Sequence, residues 1–297
     1  MGAGTGAAYA PTPMELRIDP LTGAQVQVTG SRQGRPNLPT TQCPFCVGGT
    51  EAPDPYRVKA FTNRWPSFPD DRGEVILYSP DHDARLSTMP PEDVRRVVDL
   101  WADRTAALGA RTDIAYVLVF ENHGPEVGAT ITHPHGQLFA YPEVPPLPAT
   151  ELARLAEGHV LLEDRPDLVV IERDGWRAWV PAASIYPYGM RVAPLAARPD
   201  LPGLGGPDRD AFGSVLAEAL GRLEGVFEPS PPYMFWIHQR PSDGGSWPNA
   251  TTHVEIAGPH RAPGVMRYVA AGELGSGAFI NPVEPEAAAA ALRAVER

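Results

Sequence analysis

The hydrophobic pattern of the chain predicts the same order of elements twice, one helix followed by two strands. In the first half, residues 91–109 carry apolar side chains at helical spacing, with proline in the first turn and glycine at the end. Strands are predicted at residues 114–120 and within residues 132–141. In the second half, a hairpin over residues 169–180 and a helix at about residues 207–226 precede strands at 233–239 and 251–258.

This repetition predicts an α+β fold of two halves, each a mainly antiparallel sheet packed with helices, related by an internal duplication. The proline-rich stretch of residues 142–167 is the natural joint, so we predict domains at residues 1–160 and 161–297. The alternative is coincidence, because helix–strand–strand order is common in α+β chains.

Composition excludes several classes of protein. Hydrophobic residues make up 43% and charged residues 21% of the 297, as in ordinary globular proteins. The formal net charge of −11 argues against a broad nucleic-acid surface, which needs basic residues to neutralise phosphates. The chain shows neither an apolar run of membrane-spanning length nor a signal-peptide pattern. We therefore expect a cytoplasmic protein that binds neither nucleic acid nor membranes.

Residues 133–137 read His-Pro-His-Gly-Gln. In an extended strand, His133, His135 and Gln137 point to the same side, since successive side chains alternate. With these three side chains on one side, one imidazole can bind a metal, the other can attack phosphorus, and the amide can hydrogen-bond a phosphoryl oxygen. The alternative is a pair of exposed strand histidines. Proline and glycine within a strand favour the first interpretation, because they suit a close approach to the backbone.

The two cysteines, Cys43 and Cys46, form a Cys-x-x-Cys pair. Such a pair can form a disulfide, act as a redox motif or supply half of a zinc site. The Val-Gly-Gly that follows argues against the helix that a redox motif needs. A zinc site requires two more ligands, and His82 and His133 are available.

The His-Pro-His-Gly-Gln run, together with the cysteine pair and Ser-Pro-Asp-His at residues 79–82, resembles the galactose-1-phosphate uridylyltransferase family of the histidine-triad superfamily. The resemblance spans about residues 14–292. It implies that His135 is the nucleophile and that Gln137 hydrogen-bonds a phosphoryl oxygen. It also implies a structural zinc ion held by Cys43, Cys46, His82 and His133.

Other site residues are implied by the same resemblance. The nucleotide and its phosphates would be bound by Arg32, Arg35, Asn63, Asn122, Thr130 and Gln137, and the sugar phosphate by Arg267 and Glu273. Relatives place a Tyr and a Gln near Glu273, where this chain has Gly272 and Phe279, which leaves the galactose and glucose specificity open. Relatives also hold a second metal with one Glu and three His. Here His238 and His253 match two of them and Thr251 replaces the third, so we predict that this second site is weak or absent.

The implied activity is a ping-pong exchange of a nucleoside monophosphate between a nucleotide sugar and a sugar-1-phosphate, most simply UDP-glucose and galactose-1-phosphate. One alternative is a relative with another base or acceptor, such as a phosphorylase of ADP-glucose or an enzyme of specialised metabolism. Another is a non-catalytic nucleotide-binding or zinc-scaffold protein. In the family each active site borrows residues from a partner subunit, so we expect a homodimer.

Overall fold

The computed structural model describes residues 14–30, 32 and 42–296, and these adopt the predicted α+β fold. In chain order the strands are β1 (Glu15–Ile18), β2 (Gln25–Val28), β3 (Lys59–Thr62), β4 (Gly73–Leu77), β5 (Tyr116–His123), β6 (His135–Tyr141), β7 (Val169–Arg173), β8 (Trp176–Trp179), β9 (Met190–Pro194), β10 (Tyr233–His238), β11 (His253–Ala257), β12 (His260–Ala262) and β13 (Val265–Met266). The helices are α1 (Pro91–Gly109), α2 (Pro146–Ala156), α3 (Gly206–Glu224), α4 (Ala271–Ser276) and α5 (Pro285–Ala294).

Nine strands form one continuous antiparallel sheet in the order β3-β4-β6-β5-β10-β11-β9-β8-β7. The first four belong to the N-terminal half and the other five to the C-terminal half, and the two sets meet where β5 pairs with β10. Both sets have the same order when β7 is left out and the strands are counted from the outer edge of the sheet towards its centre. The N-terminal set is β3-β4-β6-β5 and the C-terminal set is β8-β9-β11-β10, so in each the fourth strand of the chain lies before the third. The sheet predicted for each half is therefore joined to the other, while the domain boundary near residue 160 stays a prediction.

Helix α1 spans the predicted residues. Pro91 lies in the first turn, where a missing N–H breaks no hydrogen bond, and Glu92 and Asp93 lie at the positive end of the helix dipole. The apolar face of α1, centred on the fully buried Trp101, packs on the sheet and against α3. One hydrophobic core collects side chains from both halves. None of the five described helices has both the length and the apolar composition needed to cross a membrane.

The predicted hairpin and the predicted His-Pro-His strand differ in how closely they match the structure. The hairpin between β7 and β8 is confirmed, and its Asp174 and Gly175 have the positive φ values, 52° and 79°, that a two-residue turn of this kind requires. Strand β6, however, starts at His135, later than the predicted His-Pro-His strand. The reason is Pro134, which has no N–H to give to the sheet, although its carbonyl accepts a hydrogen bond from Tyr78 N at 3.2 Å.

Candidate active site

Strand β6 lies inside the sheet between β4 and β5, and its alternating side chains place His135 and Gln137 on one face. His135 is paired with Leu77 and Gln137 with Val75, while Phe120 of β5 lies on the other side of Gln137. This face is the one away from helix α1. The catalytic candidates therefore rest on the most central strands of the N-terminal half, which holds them rigidly.

The ring of His135 is oriented by the backbone carbonyl of His133, two residues earlier in the chain. Its Nδ1 lies 2.8 Å from the carbonyl oxygen of His133, so Nδ1–H donates and the lone pair belongs to Nε2. The ring of Phe45 packs edge-on against it, with centroids 5.1 Å apart. A neutral imidazole held in one tautomer can act as a nucleophile through Nε2 without first losing a proton.

A pocket of about 290 Å³ opens on one side of His135. Its apolar walls include Phe45, Phe61, Trp65, Val75 and Ile131, and its polar groups include Asn63, Thr130 and Gln137. Asn63 links two walls, because its Nδ2 donates to Gln137 Oε1 at 3.4 Å and its Oδ1 accepts from Trp65 N at 2.9 Å. Aromatic walls with a few placed amides suit a nucleobase and ribose. The structure thus brings four of the predicted site residues, Asn63, Thr130, His135 and Gln137, to one cavity.

A second pocket, of about 400 Å³, adjoins the other side of His135. Asn122 lines this pocket and not the first one, together with Arg85 and His123. Burial lowers the pKa of His123 to about 4, with a further contribution from the nearby Arg85. The nucleophile candidate therefore borders both cavities, so one of them can hold the group that is transferred and the other the group that leaves.

The four predicted zinc ligands come together at the start of β6. One donor atom from each of Cys43, Cys46, His82 and His133 lies within 4.8 Å of the other three. Cys46 Sγ is 3.4 Å from His82 Nδ1 and 3.6 Å from His133 Nδ1. Two thiols and two imidazoles are the donor set of a structural zinc site. Burial, followed by the interaction with Cys43, raises the pKa of the Cys46 thiol, so metal binding there releases a proton.

The outer nitrogens of both histidines have partners that turn Nδ1 towards the cysteines. His82 Nε2 lies 3.1 Å from Thr132 Oγ1, and His133 Nε2 lies 2.8 Å from the carbonyl of Ser79 and 2.9 Å from Tyr56 Oη. Such outer contacts are typical of metal-binding histidines, because they fix the tautomer. The residues present therefore fit a zinc ion. The contribution of Tyr56 was missed from the sequence, since it belongs to none of the recognised motifs.

A second cluster lies in the C-terminal half, where Glu151 of α2 meets His238 of β10 and His253 of β11. Glu151 Oε2 is 2.6 Å from His238 Nδ1 and 3.5 Å from His253 Nε2. Burial alone would raise the pKa of Glu151, but hydrogen bonds from the two histidines lower it to about 2. Thr251 lines the small cavity beside them. Glu151 was not identified from the sequence, and the prediction of a weak or absent metal site stays a prediction.

The predicted sugar-phosphate residues contact each other. Arg267 Nη2 pairs with Glu273 Oε1, and the Glu273 carboxylate also accepts hydrogen bonds from the backbone of Ala270 at 2.9 Å and Ile280 at 2.8 Å. The hydrogen bond from Ala270, first among several, lowers the pKa of Glu273. Both side chains are buried, and neither lines the two pockets beside His135.

Of the two arginines predicted to bind phosphate, Arg32 lies within the described residues. Arg32 lies in a turn after β2, where its backbone N–H donates to the Thr29 carbonyl at 3.1 Å. It does not line either pocket beside His135. Arg35 lies outside the described residues. Their assignment to phosphate neutralisation stays a prediction.

Comparison with known proteins points in one direction. A family model described as galactose-1-phosphate uridyl transferase, N-terminal domain, matches residues 50–145. The galactose-1-phosphate uridylyltransferase of Thermotoga maritima is 33% identical over 95% of this chain and 99% of its own length. A solved uridylyltransferase structure superposes with a TM-score of 0.86 at 29% identity, covering 95% of this chain and 98% of the other. An ADP-glucose phosphorylase from Arabidopsis thaliana with bound ADP-glucose superposes with a TM-score of 0.77 at 25% identity, covering 96% and 100%.

Proposed function

Because the chain belongs to the galactose-1-phosphate uridylyltransferase family, we propose that it moves a nucleoside monophosphate between a nucleotide sugar and a sugar-1-phosphate through His135. The leading substrates are UDP-glucose and galactose-1-phosphate, as the names of its relatives suggest. The observation that carries the proposal is the position of His135 between two cavities, with its Nδ1–H bonded to the His133 carbonyl.

The reaction has two steps, transfer of the nucleotidyl group to His135 and transfer from His135 to the acceptor. His135 Nε2 attacks the α-phosphorus, the bond from phosphorus to the bridging oxygen breaks, and the sugar-1-phosphate leaves with that electron pair. A phosphate oxygen of the acceptor then attacks the same phosphorus, and the bond to Nε2 breaks. The Gln137 amide lies on the same face as His135 and hydrogen-bonds a non-bridging oxygen as charge develops on it. We assign Asn63 and Asn122 to the nucleoside, and Arg32, Arg35 and Thr130 to the phosphates, as the family resemblance implies.

Cys43, Cys46, His82 and His133 would hold a zinc ion, which would supply structure and not chemistry. His133 contributes Nδ1 to this cluster and its carbonyl to His135 Nδ1–H. The cluster thereby fixes the residue that orients the nucleophile.

A second candidate is transfer to inorganic phosphate, as in a phosphorylase of ADP-glucose. It is favoured by the Arg267–Glu273 pair, which uses the carboxylate that would otherwise accept sugar hydroxyls. The likeness to the ADP-glucose phosphorylase of Arabidopsis thaliana agrees with it. Comparing phosphate and galactose-1-phosphate as acceptors separates the two candidates.

We also propose a homodimer, in which a second protomer brings the segment around Arg267 and Glu273 to the active site. In support, Tyr268, Leu274 and Ile280 of this segment are all more than 70% exposed, as expected of a surface that a partner covers. The equal strand order of the two halves supports the duplication. We place the enzyme in the cytoplasm, as the sequence led us to expect.

The test is the intact mass of the protein after separate incubations with UDP-glucose, UDP-galactose, ADP-glucose and GDP-mannose. We expect a nucleotidyl adduct on the wild type with at least one donor, and the added mass identifies the base. His135→Ala is the matched control and should form none. A folded, zinc-loaded wild type that forms no adduct with any of these donors would contradict His135 as the nucleophile.

A further inference from the structure

Behind His135, on the helix-covered face of the sheet, lies a group of buried polar side chains that the proposed reaction does not use. Tyr78, Glu121 and Tyr233 are 1%, 5% and 1% exposed. Tyr78 follows β4, Glu121 belongs to β5 and Tyr233 to β10, so the group extends across the sheet from β4, past the catalytic strand β6, to β10. Polar groups this deep in a core are costly unless they satisfy one another.

The contact between this group and the catalytic strand is made at Gly136. A Cβ at this position would lie 2.1 Å from the Tyr78 hydroxyl oxygen and 3.0 Å from the Phe120 carbonyl. Only glycine fits, because any larger residue would displace either β6 or Tyr78. The glycine of the His-Pro-His-Gly-Gln run therefore has a physical reason: the tyrosine hydroxyl rests directly against the backbone next to His135.

Glu121 connects Tyr78 to Tyr233. Tyr233 Oη donates to Glu121 Oε1 at 3.0 Å. The other oxygen, Glu121 Oε2, and the Tyr78 hydroxyl are both enclosed without a conventional hydrogen-bond partner among the described residues, and the two groups interact with each other. Burial raises the pKa of Glu121 to about 8, so the carboxyl keeps its proton at neutral pH and can donate towards Tyr78.

We propose that Glu121 is a positioning residue for His135, acting through Tyr78 on the Gly136 backbone. This rests on the proposed function of His135. The zinc cluster fixes the strand before His135, and the Tyr233–Glu121–Tyr78 series fixes it immediately after. A nucleophile must keep its nitrogen in line with phosphorus, and a displacement of about 1 Å can cost about 100-fold in rate.

The other titratable groups around Glu121 are identified by their contacts. His123 Nδ1 lies 3.9 Å from Glu121 Oε1, and its low pKa keeps it neutral. Glu224 of α3 acts on Glu121 through its charge and lies 3.9 Å from Arg85. Burial raises the pKa of Tyr78 and of Tyr233 well above the ordinary range. Glu121 is thus the group of this series that gains a charge just above neutral pH.

The first experiment measures the rate of adduct formation and the donor affinity separately, in the full-length zinc-loaded protein. Glu121→Gln keeps the shape, the acceptor for Tyr233 and a donor for Tyr78, so its rate at pH 7 should stay within about 3-fold of wild type. Glu121→Leu should lower the rate by about 10- to 100-fold with donor affinity changed by less than about 3-fold. Above pH 8 the wild-type rate should fall while that of Glu121→Gln does not, which a purely structural role would not produce.

Gly136 and Tyr78 provide a second test that does not depend on Glu121 variants folding. Gly136→Ala should lower the rate by at least about 100-fold, and the same change in a Tyr78→Phe background should cost at least about 5-fold less, because the hydroxyl that clashes is gone. Tyr116→Phe is the matched control background, since Tyr116 is also fully buried but lies at the opposite end of β5. Gly136→Ala should be equally harmful in that background and in wild type.

The outcomes separate the two proposals. If the wild type forms no adduct, the proposed function fails. If the wild type forms it and Glu121→Leu forms it at the same rate, or if Gly136→Ala costs the same with and without the Tyr78 hydroxyl, the positioning role is overturned and the function stands.

Discussion

The two halves of the molecule place a histidine at the same point, at the start of β6 and at the start of β11, and bond it in the same way. His135 Nδ1 lies 2.8 Å from the carbonyl of His133, and His253 Nδ1 lies 2.9 Å from the carbonyl of Thr251. The surroundings of the other nitrogen differ. His135 lines two pockets, whereas His253 Nε2 faces the Glu151 carboxylate at 3.5 Å. Identical local geometry therefore allows two roles, and the groups facing Nε2 decide between them.

The side chains beside these histidines differ in charge as well. The N-terminal cluster has two thiols and two imidazoles, which all become satisfied when a cation binds. In the C-terminal cluster, Glu151 carries its own negative charge between two imidazoles. Burial alone would lower the pKa of His253, but the hydrogen bond and charge of Glu151 raise it. An imidazolium can thus satisfy the carboxylate without a metal.

The largest expected effect comes from breaking each cluster in turn. Cys46→Ala should lose the bound zinc and lower the rate of adduct formation by at least about 100-fold, because the ligand set falls to three and the Nδ1 side of His133 is no longer held. Glu151→Gln is the matched change in the C-terminal half and should keep the zinc content and stay within about 3-fold of the wild-type rate. Metal analysis and intact mass measure both. A Glu151→Gln protein that loses zinc would remove the distinction between the clusters.

A gain of metal would sharpen the comparison. We expect the wild type to bind one zinc per chain, at the N-terminal cluster. Thr251→His adds an imidazole beside Glu151, His238 and His253, and should raise the stoichiometry to two, because four donors complete a tetrahedral set. Titration with zinc followed by metal analysis after desalting provides the count. Two ions already bound to the wild type would show that three donors suffice and that our prediction of a weak site is wrong.

The smallest effect is on pH-dependent stability. The folded-state pKa of His253 is raised, so its ion pair with Glu151 contributes fully below the ordinary histidine pKa of about 6.5 and is lost as pH rises through the folded value. Wild type should therefore exceed Glu151→Gln in melting temperature by a few degrees at pH 6, and by less at pH 8. Thermal melts of both proteins between pH 6 and pH 8 measure this difference in melting temperature. An advantage that grows between pH 6 and pH 8 would mean that the pair is not charged as described.

Local patterns in the sequence predicted the parts of the fold that short-range physics controls. Helix α1 begins at Pro91 as expected, and the turn at Asp174 and Gly175 forms where the Asp-Gly pair occurs. The joining of the two sets of strands through β5 and β10 could not be predicted in this way. Edge pairing depends on tertiary contacts between strands more than 100 residues apart, which no local pattern records.

In the candidate site, too, some residues could be predicted from sequence motifs, whereas others depend on tertiary packing. Cys43, Cys46, His82 and His133 were identified together, because their motifs resemble a known family, and the structure brings them together. Tyr56, Glu121 and Glu151 were missed, since each gains its role only from the side chains that pack around it. Arg267 and Glu273 were assigned to sugar phosphate, yet within one chain they neutralise each other. Residue type indicates the chemistry that is possible, and tertiary packing selects the partner.

The pairing of β5 with β10 has a consequence for how this chain can vary. Cutting the chain between the halves would leave each fragment with a bare edge, five residues long in register, whose N–H and C=O groups would seek another strand. Fragments of this kind are prone to self-association, so neither half is a viable module by itself. An insertion or deletion is tolerable in the connecting stretch after α2, but a break in that central ladder is not. The nine-stranded sheet is therefore an indivisible unit.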